Sequence, residues 1–287
     1  MVWVGIVQPF YYNMRCKGMK ETKRYIIRSE DCRKTIKHMK QNGIKVDCVI
    51  TSPPYNISRS RRTGDKQRQL KNREKLYKCY DDTLNWNKYE DFLQDVLSGC
   101  LSVLKKDGVI LLNMSYATNV ETGATATKML RTILNICFNL QLEVADIVCW
   151  KKKNALPNNR NKNKCTRICE YIFVLCREKE YCTFKSNKRE IQGKVYTSYS
   201  NMFNYFEAKN NDGKNEYNGA TFSIEMVANL LNMYVRDNST VYDSFAGTCT
   251  TAVACKMENR NIKCICSEID KEQCEYGKER LLNGYFF

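Results

Sequence analysis

The hexapeptide Thr51-Ser-Pro-Pro-Tyr-Asn56 concentrates residue types that can do chemistry on one kind of object. Its two prolines fix φ and withhold two backbone donors, so the carbonyls of Ser52 and Pro53 are rigid and have no ladder to join. A hydroxyl, a rigid carbonyl and the ring of Tyr55 suit the holding of a flat, amine-bearing ring. The oxygens accept from its NH2 group and the aromatic stacks on its face. The plainer alternative is a Pro-Pro turn that closes a strand.

A second stretch, Thr240-Val-Tyr-Asp-Ser-Phe-Ala-Gly-Thr-Cys-Thr-Thr251, reads as a strand, a small-residue turn and the start of a helix. Such turns let backbone approach a ligand closely and aim helix N–H groups at it. About twenty residues on, the next strand ends in Ser-Glu268-Ile-Asp270, which puts an acid where ribose hydroxyls would donate. This spacing allows a nucleotide-type ligand, and no G-x-G-x-x-G run argues for a dinucleotide.

Both stretches need strands to present them. Apolar, β-branched runs predict strands at Val46–Ile50, Val109–Asn113, Val144–Trp150, Tyr171–Cys176, Thr240–Tyr242 and Ile262–Cys266. Between them, amphipathic spacing predicts helices over Trp86–Lys105, Ala124–Leu140 and Phe222–Val235. Alternation of this kind implies an α/β fold, a mostly parallel sheet with helices on both faces. Ligands of such sheets bind beyond the carboxyl ends of strands, where Thr51–Asn56 falls.

The chain of 287 residues has 47 basic against 31 acidic side chains, a net charge of +16. Residues 59–78 hold nine basic and two acidic side chains, +7, and residues 151–167 hold seven basic and none acidic, another +7. Clusters like these are footprints for a polyanion, phosphate backbones above all, although either alone could be a solvated face. Arg59, Arg61, Arg62, Arg68, Lys151, Lys152, Lys153 and Arg160 are the candidates for nucleic-acid contact. Sixteen cysteines form no C-x-x-C pair and His38 is the single histidine, so neither a disulfide framework nor a metal site is expected. With free thiols, no cleavable leader in Met1–Tyr12 and no run long enough to span a bilayer, the expected setting is a reducing intracellular one, cytoplasm or nucleus, without a membrane.

The hexapeptide resembles the catalytic motif of DNA amino-methyltransferases, which methylate the exocyclic amine of cytosine or adenine. Asp243-Ser-Phe-Ala-Gly-Thr-Cys-Thr-Thr resembles their S-adenosylmethionine motif, D-P-F-x-G-S-G-T-T. Ser29-Glu-Asp31-Cys resembles their G-D segment. Trp150-Lys-Lys-Lys-Asn-Ala-Leu-Pro157 with Glu170-Tyr-Ile resembles W-x-K…P…E, and Ala220-Thr-Phe-Ser-Ile-Glu-Met-Val227 resembles A-T-F-P-x-x-L-V. Two positions depart from the pattern: Cys249 replaces a glycine, and Tyr217-Asn-Gly219 stands where His-Pro is usual. At Cys249 either the backbone avoids positive φ or the side chain is tolerated there.

The resemblance implies a Rossmann-like methyltransferase fold with S-adenosylmethionine as cofactor and double-stranded DNA as partner. Catalysis would rest on Ser52, Pro53, Pro54 and Tyr55, which hold a flipped base. Asp31, Thr51, Asp243, Phe245, Gly247, Thr248 and Glu268 would line the cofactor site, Asp31 near the adenine and Glu268 on the ribose. The catalytic motif precedes the cofactor motif, the permuted order of the family's β group. That order divides the chain into a catalytic half, 26–177 with the basic loop 57–80, a target-recognition insert, 178–218, and a cofactor half, 219–287. Ser52 leans the target toward N4 of cytosine, with N6 of adenine as the alternative. A catalytically inactive DNA-binding protein of the same fold is the reading from another class. A homodimer and a separate cognate restriction endonuclease are further partners compatible with the resemblance.

Overall fold

In the computed structural model the described residues are 24–56, 79–80, 84–114, 125–155, 165–180, 188–191, 194–197, 203–212, 217 and 221–283. Strand β1 (Tyr25–Ser29) leads into helix α1 (Cys32–Gln41), then β2 (Val46–Thr51), α2 (Trp86–Val103) and β3 (Leu104–Met114). Next come α3 (Ala126–Leu140), β4 (Leu142–Lys152) and β5 (Cys169–Arg177). Short strands β6 (Lys188–Ile191), β7 (Lys194–Thr197) and β8 (Tyr205–Ala208) precede α4 (Ile224–Tyr234), β9 (Thr240–Asp243), α5 (Thr250–Met257), β10 (Lys263–Glu268) and α6 (Lys271–Asn283).

The main sheet has eight strands in the order β1-β10-β9-β2-β3-β5-β4-β8. All neighbours are parallel except the two pairs made by β5, which runs against β3 and β4. The expected mostly parallel sheet is therefore present, with the first and last strands side by side at β1 and β10, as the permuted order requires. From the central pair β9 and β2 the chain winds outward in opposite directions, which makes a crevice at their carboxyl ends.

Alternation along the strands sorts the core onto two faces. Cys48 and Ile50 of β2, with Val109 and Leu111 of β3, pack under α4 and α5. Val49, Ile110 and Leu112 point the other way, to the buried stripes of α1, α2 and α3. Four cysteines of the first face, Cys249, Cys255, Cys264 and Cys266, are buried free thiols that serve as small apolar fillers.

Several boundaries move for identifiable reasons. Helix α2, expected to reach Lys105, stops at Val103, and Lys105-Lys-Asp-Gly108 lies inside β3 at a register shift opposite Val46–Cys48. Gly108 is needed in that bulge, because a Cβ there would sit 2.8 Å from the Asp47 carbonyl. Side-chain caps set the starts of α3 and α4: Thr125 accepts from Lys128 N, and Ser223 from Met226 N. Residues 178–218 contain the β6–β7 hairpin and also β8, which joins the main sheet in register from Cys149↔Tyr205 to Lys152↔Ala208. That anchoring follows from burial of Phe206 and Ala208 in the first core face. Among the described residues no helix is long and apolar enough to cross a membrane.

Candidate active site

Thr51 ends β2 and Asp243 ends β9, and the two strands are paired at Cys48↔Val241 and Val49↔Tyr242. The sequence segments that looked chemically competent thus stand side by side although nearly two hundred positions separate them. A hydrogen bond of 2.8 Å between Thr51 Oγ1 and Ser244 Oγ, both buried, ties the two tips together.

Beyond Thr51 the chain leaves the sheet as an irregular loop. Pro53 and Pro54 are buried, whereas Ser52 and Tyr55 are partly exposed. Ser52 Oγ lies 2.9 Å from Tyr55 Oη. Asn56 adopts φ +53° and its side-chain amide donates to the Leu84 carbonyl at 2.7 Å, so the loop is braced against the chain two residues before α2.

On the β9 side, Asp243 is fully buried and organises the turn: Oδ1 accepts from Phe245 N at 3.1 Å and Oδ2 from Thr251 Oγ1 at 2.5 Å. Burial pushes its carboxyl up to about 8, with Cys266 and Glu268 adding to the shift and the two donors opposing it. Gly247 has φ +53°. Its N–H donates to Glu268 Oε2 at 2.7 Å, while Glu268 Oε1 accepts from Asp270 N at 2.8 Å. Burial raises the Glu268 carboxyl above its ordinary range, against those backbone donors. The Glu268 carboxylate is an acceptor of the kind the two hydroxyl donors of a ribose diol need. Thr248 is buried, and Arg280 from α6 donates to its carbonyl at 2.7 Å and to its hydroxyl at 2.8 Å. The same guanidinium pairs at 3.6 Å with Asp212, whose carboxylate also accepts from Ile224 N at the start of α4.

Cys249 lies at φ +62°, so of the two outcomes open for this departure the side chain is tolerated in the left-handed region. It precedes α5 without a side-chain cap.

At the far side of β10, Ser29 pairs with Glu268, which brings Asp31 to the same edge. Asp31 caps α1 through Arg33 N and holds the Arg33 guanidinium, with Nη2 at 2.6 Å from Oδ2. Those hydrogen bonds keep its carboxyl below the usual carboxylate range. Arg33 stacks over Phe92 at 6.0 Å, and Phe92 meets Phe245 with ring centroids 5.9 Å apart, an aromatic wall between Asp31 and the β9 turn.

On the β3 side stands a group of residues that sequence reasoning did not join to Ser52. Asn113, buried in β3, donates from Nδ2 to Tyr55 Oη and to Glu170 Oε2, both at 3.0 Å. Glu170 Oε1 accepts from Lys152 Nζ at 2.5 Å, and that ammonium lies 5.1 Å from the Trp150 ring centroid. The available signal was one polar residue closing an otherwise apolar strand run.

The expected nucleic-acid contacts fare unevenly. Arg59, Arg61, Arg62, Arg68 and Arg160 lie outside the described residues. Lys151, Lys152 and Lys153 are each paired with a carboxylate, Glu207, Glu170 and Glu225 respectively. Lys152 is the most enclosed of the three, its side chain 19% exposed.

The chain resembles known proteins in sequence and in fold. The family profile described as DNA methylase, of the N6 and N4 type, matches residues 46–279. The Type II methyltransferase M.HpaI of Haemophilus parainfluenzae is 26% identical over 268 residues, covering 88% of this chain and 73% of the relative. M.SmaI of Serratia marcescens is 25% identical over 265 residues, with 82% and 84% covered. Among solved structures, the PvuII DNA methyltransferase (cytosine-N4-specific) superposes with a TM-score of 0.65 at 15% identity over 92% of this chain and 90% of that one. The M1.HpyAVI–SAM complex gives 0.59 at 18% identity, with 90% and 99% covered.

Proposed function

The chain belongs to the DNA methylase family, the S-adenosylmethionine-dependent N6/N4 amino-methyltransferases, and from that premise we propose that it methylates N4 of cytosine in double-stranded DNA. The observation that carries the reading is the Thr51–Ser244 hydrogen bond, which sets the Ser52–Tyr55 loop beside the Asp243–Thr248 turn at the switch point of the sheet. The choice of cytosine rests on Ser52 at the first motif position and accords with the cytosine-N4-specific PvuII enzyme of like fold. The Type II relatives support a place in restriction-modification.

S-Adenosylmethionine, when bound, supplies an electrophilic methyl group on its sulfonium. The residues at the β9 and β10 tips fit it: Gly247 offers backbone without a side chain, Glu268 offers a carboxylate acceptor, and Phe245 offers a ring face. Asp31, Thr51, Asp243 and Thr248 complete the walls of that site. The exocyclic amine of a base is a poor nucleophile because its lone pair is delocalised into the ring. Ser52 Oγ and the Pro53 carbonyl accept hydrogen bonds from its two N–H groups, favour a pyramidal nitrogen and aim the lone pair away from the ring; the nitrogen gives up one of these protons to solvent once it is methylated. Pro54 keeps the loop rigid, and Tyr55 stacks on the base once it has left the duplex. No covalent bond to the protein is required; positioning and electrostatics lower the barrier.

The test is nucleoside mass spectrometry of DNA incubated with the protein and labelled cofactor. Labelled 4-methylcytosine supports the proposal, 6-methyladenine moves the target to adenine, and no label despite measurable cofactor binding leaves a DNA-binding protein without activity. Ser52→Ala should cut turnover about 10²-fold, in line with loss of one transition-state hydrogen bond, and leave cofactor affinity unchanged. Equal losses in both would put Ser52 in a structural role.

A further inference from the structure

We propose that Asn113 is a positioning residue for the reaction, setting the Tyr55 hydroxyl and through it Ser52, with Glu170 and Lys152 fixing the Asn113 amide from behind. The inference rests on the assignment of Ser52 and Tyr55 to base binding made above.

The amide is locked in one orientation. A carboxylate flanked by an ammonium accepts and does not donate, so the Asn113 atom 3.0 Å from Glu170 Oε2 is the NH2 nitrogen. Its other N–H is therefore aimed at Tyr55 Oη at 3.0 Å, with Ser52 Oγ at 3.5 Å. Five side chains from three strands and the catalytic loop form one line: Lys152 on β4, Glu170 on β5, Asn113 on β3, and Tyr55 with Ser52 beyond β2. The line runs across the sheet edge rather than along the chain, which makes the loop's position depend on the register of β3, β4 and β5.

A structural filler would be built differently. Asn113 is 4% exposed, yet its Oδ1 has no hydrogen-bond partner among the described residues. Leaving a buried acceptor unpaired costs stability, and an apolar residue of similar shape avoids that cost. The other half of the amide must therefore do something an apolar side chain cannot, and donating to Tyr55 is what the geometry offers. The Lys152–Glu170 pair serves the same end. Removed from most solvent, it is a costly way to fill space but an effective way to orient a neighbouring donor.

The experiment compares the wild-type protein with Asn113→Leu, Tyr55→Phe and the double variant. Cofactor dissociation constants, single-turnover methylation rates on duplex DNA and the Tyr55 resonance in protein labelled at the tyrosine ζ carbon are measured for each, the last assigned by its loss in Tyr55→Phe. Asn113→Leu should lower the single-turnover rate about 10²-fold, the usual effect of small misplacement, with cofactor affinity and thermal midpoint retained. In the Tyr55→Phe background the same change should cost little more, because Asn113 acts through the phenol. The Tyr55 resonance should shift and titrate at higher pH once its donor is gone. Multiplicative losses in the double variant, or an unmoved Tyr55 resonance, would overturn the proposal. The resonance does not depend on turnover. A wild-type protein that methylates no DNA would thus sink the functional reading separately, leaving the hydrogen bond to be judged by the spectrum.

Discussion

Gly277 of α6 faces Cys249 of the turn between β9 and α5 with no space between them: a Cβ on residue 277 would stand 2.5 Å from Cys249 Sγ and 2.8 Å from its Cβ. The glycine missing from the turn has in effect been exchanged for one on the neighbouring helix. Gly277→Ala should therefore destabilise the protein by about 1–3 kcal/mol through overpacking and weaken cofactor binding. Cys249→Gly should relieve both the clash and the left-handed backbone of residue 249, which has φ +62°. Urea unfolding and cofactor titration of the two single variants and the pair measure this. If Cys249→Gly fails to rescue Gly277→Ala, the two positions are not complementary.

The bond between Thr51 and Ser244 predicts coupled losses. Thr51→Val leaves a buried hydroxyl short of a partner, a cost of about 1–3 kcal/mol, and should loosen cofactor binding because it frees the β9 turn. Ser244→Ala should do the same, and the double variant should lose at least 0.5 kcal/mol less than the sum, the lower end of coupling for residues in contact. Additive losses in a double-mutant cycle would mean that the two tips are held in place by something else.

Asp243 predicts an unusual pH dependence. Its native carboxyl titrates at about 8 against an ordinary 3.8, because burial disfavours its charge. The folded state then binds a proton that the unfolded chain has already released, so this group makes stability fall as pH rises from about 4 to about 8 and adds no further slope above that. Asp243→Asn removes the titration and should flatten the curve relative to wild type. Urea midpoints between pH 5 and pH 9 test this; parallel curves for the two proteins would place the titration elsewhere.

The three consecutive lysines should separate by role. Lys151 and Lys153 hold exposed partners, so each is available to a phosphate, and alanine at either should reduce the salt slope of DNA binding by about 0.9. Lys152 is committed to Glu170. Lys152→Met should leave the salt slope intact while lowering turnover through the Asn113 amide. A reduced slope for Lys152→Met, measured by titration from low to moderate salt, would make it a DNA contact instead.

Long, periodic segments were legible in the sequence, and the parallel α/β architecture followed from them. The edges were less so. Helix α1 carries a buried stripe of only Cys32, Thr35, Ile36 and Met39 among basic residues, and β1 is a five-residue edge strand containing Arg28. Helix α6 buries Gln273, Cys274, Gly277 and Leu281, of which only Leu281 is a large apolar side chain, too few to announce a core face. In the site, Ser52, Tyr55, Asp243 and Glu268 could be picked out because each ends a strand within a local motif. Asn113 could not, since its meaning arises only where β3 passes β2 and β5, a proximity no spacing within one segment encodes. The same holds for the lysines: their charge was visible, but the acids that hold them come from β5, β8 and α4.

The Asn56–Leu84 hydrogen bond has a consequence for how this scaffold can change over time. It pins together the two points between which residues 57–83 depart and return, so the spacing of those points is fixed by the sheet and α2. A substitution that moves the start of α2 is therefore felt at Ser52 and Tyr55 without touching either, which ties drift in that helix to drift in the loop beyond β2.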